Sequence, residues 1–328
     1  MPVPVLSRRT MLTLAPLLAV ATQVPAVART ADAGGAARRI RVIAERRVDS
    51  RLVDLTVESP APAETATVRL LTPHGWHRRR SGQSWPTLYL LHGAGGHAAE
   101  WTEATDIAHS AELRHALVVM PDGGAVGLYS DWWNAGAGGP PQWETFHLDE
   151  LRPLLERHYA AGVRRAVAGL SMGGFGALLY AARRPGLFRA AASYSGPVHL
   201  SHPHWTALWR RAFEESPWLL DLWGDPDAQR AIWQSHDPYH LARRLTRIPV
   251  YLAWGTGSPG PLDPAGTPVD RDEQSIDVAN RSLAAQLGPM SARLTAHCYD
   301  GTHSWPYWQR ELHRSLPLLL ASLRTGDR

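Results

Sequence analysis

The pentapeptide Gly169-Leu170-Ser171-Met172-Gly173 constrains the fold more than any other stretch of this 328-residue chain. Residues 166–168 before it are apolar, as a buried strand requires. Residues 174–184 after it are mostly small and apolar, as a close-packed helix requires. In that setting the G-x-S-x-G pattern predicts a sharp strand-to-helix turn, a nucleophile elbow that exposes the serine hydroxyl. A Cβ at either flanking glycine would clash with the strand or the helix. The helix N-terminus behind the serine favours negative charge there.

Around the elbow, strand and helix patterns alternate. Residues 53–58 and 67–71 switch between apolar and polar like an antiparallel hairpin. Residues 87–91 and 116–120 are continuous apolar runs, as strands buried on both faces are. Further strands are expected at 166–168, 190–194, 250–254 and 293–299, and helices at 145–158, 174–184, 273–287 and 305–323. The alternation predicts an α/β fold with a mostly parallel sheet covered by helices on both faces. Site loops then lie at the C-terminal ends of the strands. Residues 201–245, rich in Trp, Pro and charge, read as a cap-like insertion in a single domain spanning 34–328.

Residues 1–33 read as an export signal. Arg8-Arg9 gives a twin-arginine pattern, residues 11–20 are apolar, and residues 26–28 and 31–33 offer small-residue cleavage sites. The apolar run is too short for a transmembrane span. A secreted protein is expected. Formal net charge is +4, and it falls to about +2 without Arg8 and Arg9. Arg78-Arg79-Arg80 is the longest basic run and reads as a solvated loop, so nucleic acid is not an expected partner. Cys298 is the single cysteine, which precludes an intrachain disulfide, and it reads as a buried strand thiol. Of fourteen tryptophans, Trp101, Trp132, Trp133, Trp143, Trp305 and Trp308 fall near the expected site loops. Large aromatics there suit acyl chains, sugars or aromatic acids.

A serine hydroxyl needs a base to take its proton and a group to orient that base. The base is expected after the last core strand, and His303 stands there, in Gly301-Thr302-His303-Ser304-Trp305. The acid is expected after the strand at 250–254, where Asp263, Asp270, Asp272, Glu273 and Asp277 are all available. Glu273 falls in the first helical turn beside the Ile276, Asn280, Leu283 and Leu287 stripe, but periodicity alone does not choose. Leu91-His92-Gly93-Ala94-Gly95-Gly96 follows a strand and reads as an oxyanion loop. The amides of Ala94 and Met172 are the expected donors to a tetrahedral oxyanion. His92, Gly93, Trp101, Asp131, Trp132 and Trp305 are the expected substrate contacts. Asp122 and Asp131 read as residues of turn-rich loops rather than metal ligands, and no metal or cofactor is expected.

These motifs, with Met120-Pro121-Asp122-Gly123-Gly124, Tyr129-Ser130-Asp131-Trp132 and Gly301 to Trp308, resemble the Putative esterase (esterase D-like) family of α/β-hydrolases. Within that family they are similar to the secreted mycolyltransferases of the mycobacterial antigen complex, over roughly residues 50–325. The resemblance implies an α/β-hydrolase fold and a serine ester that passes an acyl group to water or to a carbohydrate hydroxyl. It implies Glu273 as the acid, since the family's glutamate stands seven residues before an asparagine, as Glu273 does before Asn280. The mycolyltransferases carry an aspartate and an arginine in the oxyanion loop, where this chain has His92 and Gly95. That departure favours a secreted serine carboxylesterase acting on a small-molecule, lipid or carbohydrate ester. The alternatives are an acyltransferase using a sugar or glycerol acceptor, and a non-catalytic carbohydrate- or matrix-binding relative.

Overall fold

The computed structural model describes residues 39–62, 65–291 and 293–324, so the expected export signal lies outside the described residues. Nine strands form one mixed sheet in the order β1-β2-β3-β5-β4-β6-β7-β8-β9. They are β1 (Arg41–Arg47), β2 (Leu52–Glu58), β3 (Thr65–Leu71), β4 (Trp85–Leu91), β5 (Leu117–Pro121), β6 (Ala161–Leu170), β7 (Ala191–Tyr194), β8 (Val250–Gly255) and β9 (Leu294–Tyr299). The first three are antiparallel neighbours, and β3 joins β5 antiparallel. From β5 through β4, β6, β7 and β8 to β9 every pairing is parallel. The fold is an α/β-hydrolase fold with an antiparallel leading edge.

Each parallel crossover needs a covering element, and two buried clusters, one on each face, record the two layers. The helix Met172–Arg183 has eleven of its twelve residues buried, which its Gly and Ala content permits by allowing close approach to the sheet. The helix Arg271–Leu287 presents Ile276, Ala279, Leu283 and Leu287 to the same layer. The C-terminal helix Trp305–Ser322 covers the other face with Trp308, Leu312, Leu316 and Leu319. The expected helix at 145–158 runs from Trp143 to His158 and contains a π-helical stretch, Phe146–Leu151.

Between β7 and β8 the chain makes the helix Pro203–Glu215 and several shorter helical pieces ending at Ala242–Leu245. Trp209, Phe213, Trp223 and Trp233 form an edge-to-face aromatic cluster within it. Among the described residues no helix is long and apolar enough to cross a membrane. Cys298 is exposed, contrary to the expected burial, because β9 is the edge of the sheet and half of its residues face solvent.

Candidate active site

The elbow begins where β6 ends. Ser171 has φ 50° and ψ −121°, and the helix Met172–Arg183 starts at the next residue. That conformation costs a non-glycine residue about 1–3 kcal/mol. It is held by Ser171 N donating to Tyr194 O (2.8 Å) and by Phe175 N donating to Ser171 O (3.1 Å). The glycines are there for space. A Cβ on Gly173 would lie 2.4 Å from Leu91 O, and one on Gly169 would lie 2.4 Å from Gly173 O. The helix therefore starts in contact with the end of β4, which brings the Gly93 loop against Ser171.

That loop is fixed by His92. Its buried ring donates from Nδ1 to Gly93 O (2.7 Å) and accepts at Nε2 from Gly123 N (2.8 Å), which defines a neutral tautomer. Burial lowers its pKa against the pull of the Gly93 carbonyl. Both ring nitrogens are thus spent on backbone, and His92 shapes the loop rather than reaching outward. Ala94 and Met172 both line the cavity that Ser171 faces. Met172 stands in the first helical turn, whose amides have no intrahelical acceptor.

His303 sits in the loop between β9 and the C-terminal helix, its side chain almost fully buried. Its Nδ1 donates to Glu273 Oε2 at 2.5 Å. Its backbone N donates to Asp270 Oδ2 at 2.9 Å. Asp270 is also the N-cap of the helix that carries Glu273, its Oδ1 accepting from Asp272 N and Glu273 N at 3.0 Å each. One aspartate therefore ties the imidazole loop to the first turn of the acid helix. The other Glu273 oxygen accepts from Gly255 N (2.6 Å) and Ser195 Oγ (2.7 Å). Ser195 in turn accepts from Trp308 Nε1 at 3.2 Å. Burial opposes protonation of His303, but the hydrogen bond and charge of Glu273, with Asp270 and Asp272 behind it, outweigh burial and raise its pKa.

Ser171 and His303 line one cavity of about 900 Å3. Its walls are mainly apolar: Val126, Leu128 and Phe175, Ile276 on the helix Arg271–Leu287, and Trp205, Leu208, Trp209, Ala212 and Leu219 from the segment between β7 and β8. Asp272 also lines it, with a pKa raised to about 6 by burial and by the charges of Asp270 and Glu273.

Several expected contacts stand elsewhere. Trp101 is buried in the layer beneath the sheet, with Nε1 donating to Leu91 O and its ring edge-on to Tyr194 and Trp305. Asp131 accepts from Thr145 N and Oγ1, which ties its loop to the short helix at 143–145. Trp132 is half-buried and stacks on Trp218. Trp305 packs edge-on against Trp101 and Trp308. Gly93 sits beside the elbow, where a Cβ would lie 2.7 Å from Leu170 Cδ1. The tryptophans that do face the cavity, Trp205 and Trp209, come from the insertion. Ser195 and Asp270 were not singled out as positioning groups. A serine after a strand has no distinguishing pattern, but Asp270-Arg271-Asp272-Glu273 has the D-x-x-E form of a helix start.

The family model described as Putative esterase matches residues 59–319. The chain belongs to this family. It is 32% identical over 278 residues to esterase Rv1288 of Mycobacterium tuberculosis (strain H37Rv), a match covering 80% of this chain. The chain spans 58% of that relative's length. It is 31% identical over 268 residues to the diacylglycerol acyltransferase/mycolyltransferase Ag85B of Mycobacterium leprae, covering 76% of this chain and 80% of the relative. In three dimensions it is similar to Mycobacterium tuberculosis MPT51 (FbpC1), with TM-score 0.68 and 23% identity over 84% of this chain and 100% of the other. That last likeness is one of fold.

Proposed function

We propose that this family member is a secreted serine carboxylesterase that works through an acyl-enzyme on Ser171. The observation that carries the proposal is the shared cavity of Ser171 and His303, with Nδ1 of His303 engaged by Glu273. Nδ1 holds its proton against the carboxylate, so Nε2 is the nitrogen left to take the Ser171 proton. Ser171 Oγ attacks the ester carbonyl, and the tetrahedral oxyanion is met by the amides of Ala94 and Met172. Collapse expels the alcohol, which takes the proton from His303 Nε2. Water then attacks the acyl carbonyl while giving a proton to the same nitrogen, and collapse breaks the bond to Ser171 Oγ, which takes that proton back as the acid leaves. Glu273 stabilises the imidazolium formed in both halves, and its own charge is supported by Gly255 N and Ser195 Oγ. Export rests on the Arg8-Arg9 pattern and the apolar run after it.

Replacing Ser171 with Ala is expected to lower kcat on a p-nitrophenyl ester by about 10^4-fold or more and to abolish labelling by a fluorophosphonate probe. Near-normal turnover in Ser171→Ala would sink the mechanism. Failure of the parent protein to label at Ser171 would favour a non-catalytic binding relative.

A second reading is transfer of the acyl group to a sugar or glycerol hydroxyl. The observation favouring it is the 31% identity to Ag85B, whose name records acyl transfer. Products formed from an acyl donor with and without trehalose or glycerol distinguish the two. Acylated acceptor in excess of free acid would replace hydrolysis by transfer.

A further inference from the structure

Away from the cavity, the two ends of the insertion meet in a cluster of imidazole and carboxylate groups. His199 follows β7, just ahead of the helix Pro203–Glu215. Asp237 and His240 lie between the helices Arg230–Ser235 and Ala242–Leu245. One potential ligand atom from each of the three lies within 4.8 Å of the others. We propose that His199, Asp237 and His240 form a binding site for a divalent cation of the zinc class, which clips the entry of the insertion to its exit.

The donor set is the first argument. Two imidazoles and a carboxylate are what Zn2+ accepts, and imidazole favours it over Mg2+ or Ca2+. The second is charge. Asp237 is fully buried, and the donors it meets are neutral: Ser201 N (2.9 Å) and Ser201 Oγ (2.6 Å) on Oδ2, and Tyr239 N (3.0 Å) on Oδ1. A buried carboxylate is ordinarily matched by a positive charge, which a cation here supplies. The third is orientation. The His199 ring stacks on Tyr239, with centroids 3.6 Å apart and planes 4° from parallel, and its Nδ1 is 2.8 Å from Ser282 Oγ. A ligating histidine is normally held in this way by its second nitrogen, which leaves the other to bind metal.

Ser201 bridges two members of the cluster. Its hydroxyl lies 2.6 Å from Asp237 Oδ2 and 2.9 Å from His240 Nε2. It supplies an oxygen for a fourth position in a tetrahedral set. Coordination through Nε2 of His240 places that ring's proton on Nδ1, so the imidazole stays neutral and no proton is released. Ser282 stands on the helix that carries Glu273, so the clip also reaches the acid's own support.

The test uses the full chain without a polyhistidine tag, stripped with chelator and titrated with Zn2+ by calorimetry. One equivalent is expected to bind. His240→Ala, at the exposed member of the set, is expected to weaken that binding at least tenfold. Added Zn2+ is also expected to raise the unfolding midpoint of the parent and not of the variant. Absence of one-equivalent binding, or equal affinity and equal thermal shift in His240→Ala, would overturn the proposal.

Discussion

Ser195 Oγ donates at 2.7 Å to the Glu273 oxygen that does not face His303. The contact fixes the rotation of the carboxylate, since Gly255 N holds the same oxygen and His303 the other. A hydrogen bond to a charged group is worth about 1.5–3 kcal/mol. Replacing Ser195 with Ala removes one of two supports, so kcat is expected to fall by roughly tenfold with KM little changed. Steady-state kinetics check this, and an unchanged kcat would show that Gly255 alone suffices.

Asp272 contributes to the pH response, after Glu273 and Asp270. Its charge, gained as pH rises through about 6, favours the imidazolium of His303. A general base must be neutral in the free enzyme, so activity climbs as pH passes the His303 pKa. Asp272→Asn removes the nearby charge and lowers that pKa. The acid limb of the kcat/KM profile is then expected to move to lower pH. A limb that stays in place, or moves up, contradicts the electrostatic account.

Asp270 joins two elements of the candidate site. Its Oδ1 caps the acid helix and its Oδ2 holds the His303 amide. Loss of a cap costs about 0.5–2 kcal/mol. Asp270→Ala is expected to lower stability by about that amount in urea unfolding and to lower kcat as well. Asp270→Asn keeps one oxygen acceptor, so it should restore the cap better than it restores kcat. Equal recovery of both would mean that the contact to the His303 loop is dispensable.

The apolar wall supplied by the insertion predicts acyl-length selectivity. Leu208 lines the cavity and is only partly buried. Leu208→Trp adds bulk there. Excluding two methylenes of a substrate from contact costs about 1.6 kcal/mol, roughly fifteenfold. The ratio of kcat/KM for a p-nitrophenyl octanoate to that for the acetate should fall by about tenfold or more. A ratio that does not move would place the acyl chain elsewhere.

The sequence carried the sheet where burial wrote a pattern. The runs that became β4 and β5 are apolar because both faces are covered, while the β2–β3 hairpin alternates although it too is mostly buried, its polar positions Asp54 and Arg69 being paired with each other. It did not carry β1, whose seven residues are nearly all exposed and so leave no apolar period. It shortened β6, since Arg164 and Arg165 interrupt the apolar run, although Arg165 is buried against Glu156. At the site, Ser171 and His303 were legible because a strained turn and a loop after a final strand impose recognisable residues. By periodicity Glu273 is one carboxylate among five, and only the family resemblance, with Asn280 seven residues on, singles it out. Trp101 misled, because a large ring near a loop looks the same whether it faces a ligand or Leu91 and Tyr194. The tryptophans that face the cavity, Trp205 and Trp209, sit one turn apart on the helix Pro203–Glu215, with Ala212 and Phe213 on the same stripe.

The stretch between Ser201 and Asp237 starts and ends at nearly one point, because those two residues are hydrogen-bonded to each other. Its length is therefore uncoupled from the spacing of β7 and β8. An exchange of the intervening helices for others of different size would need to preserve only that junction, so the roof of the pocket is interchangeable while the machinery below it stays put.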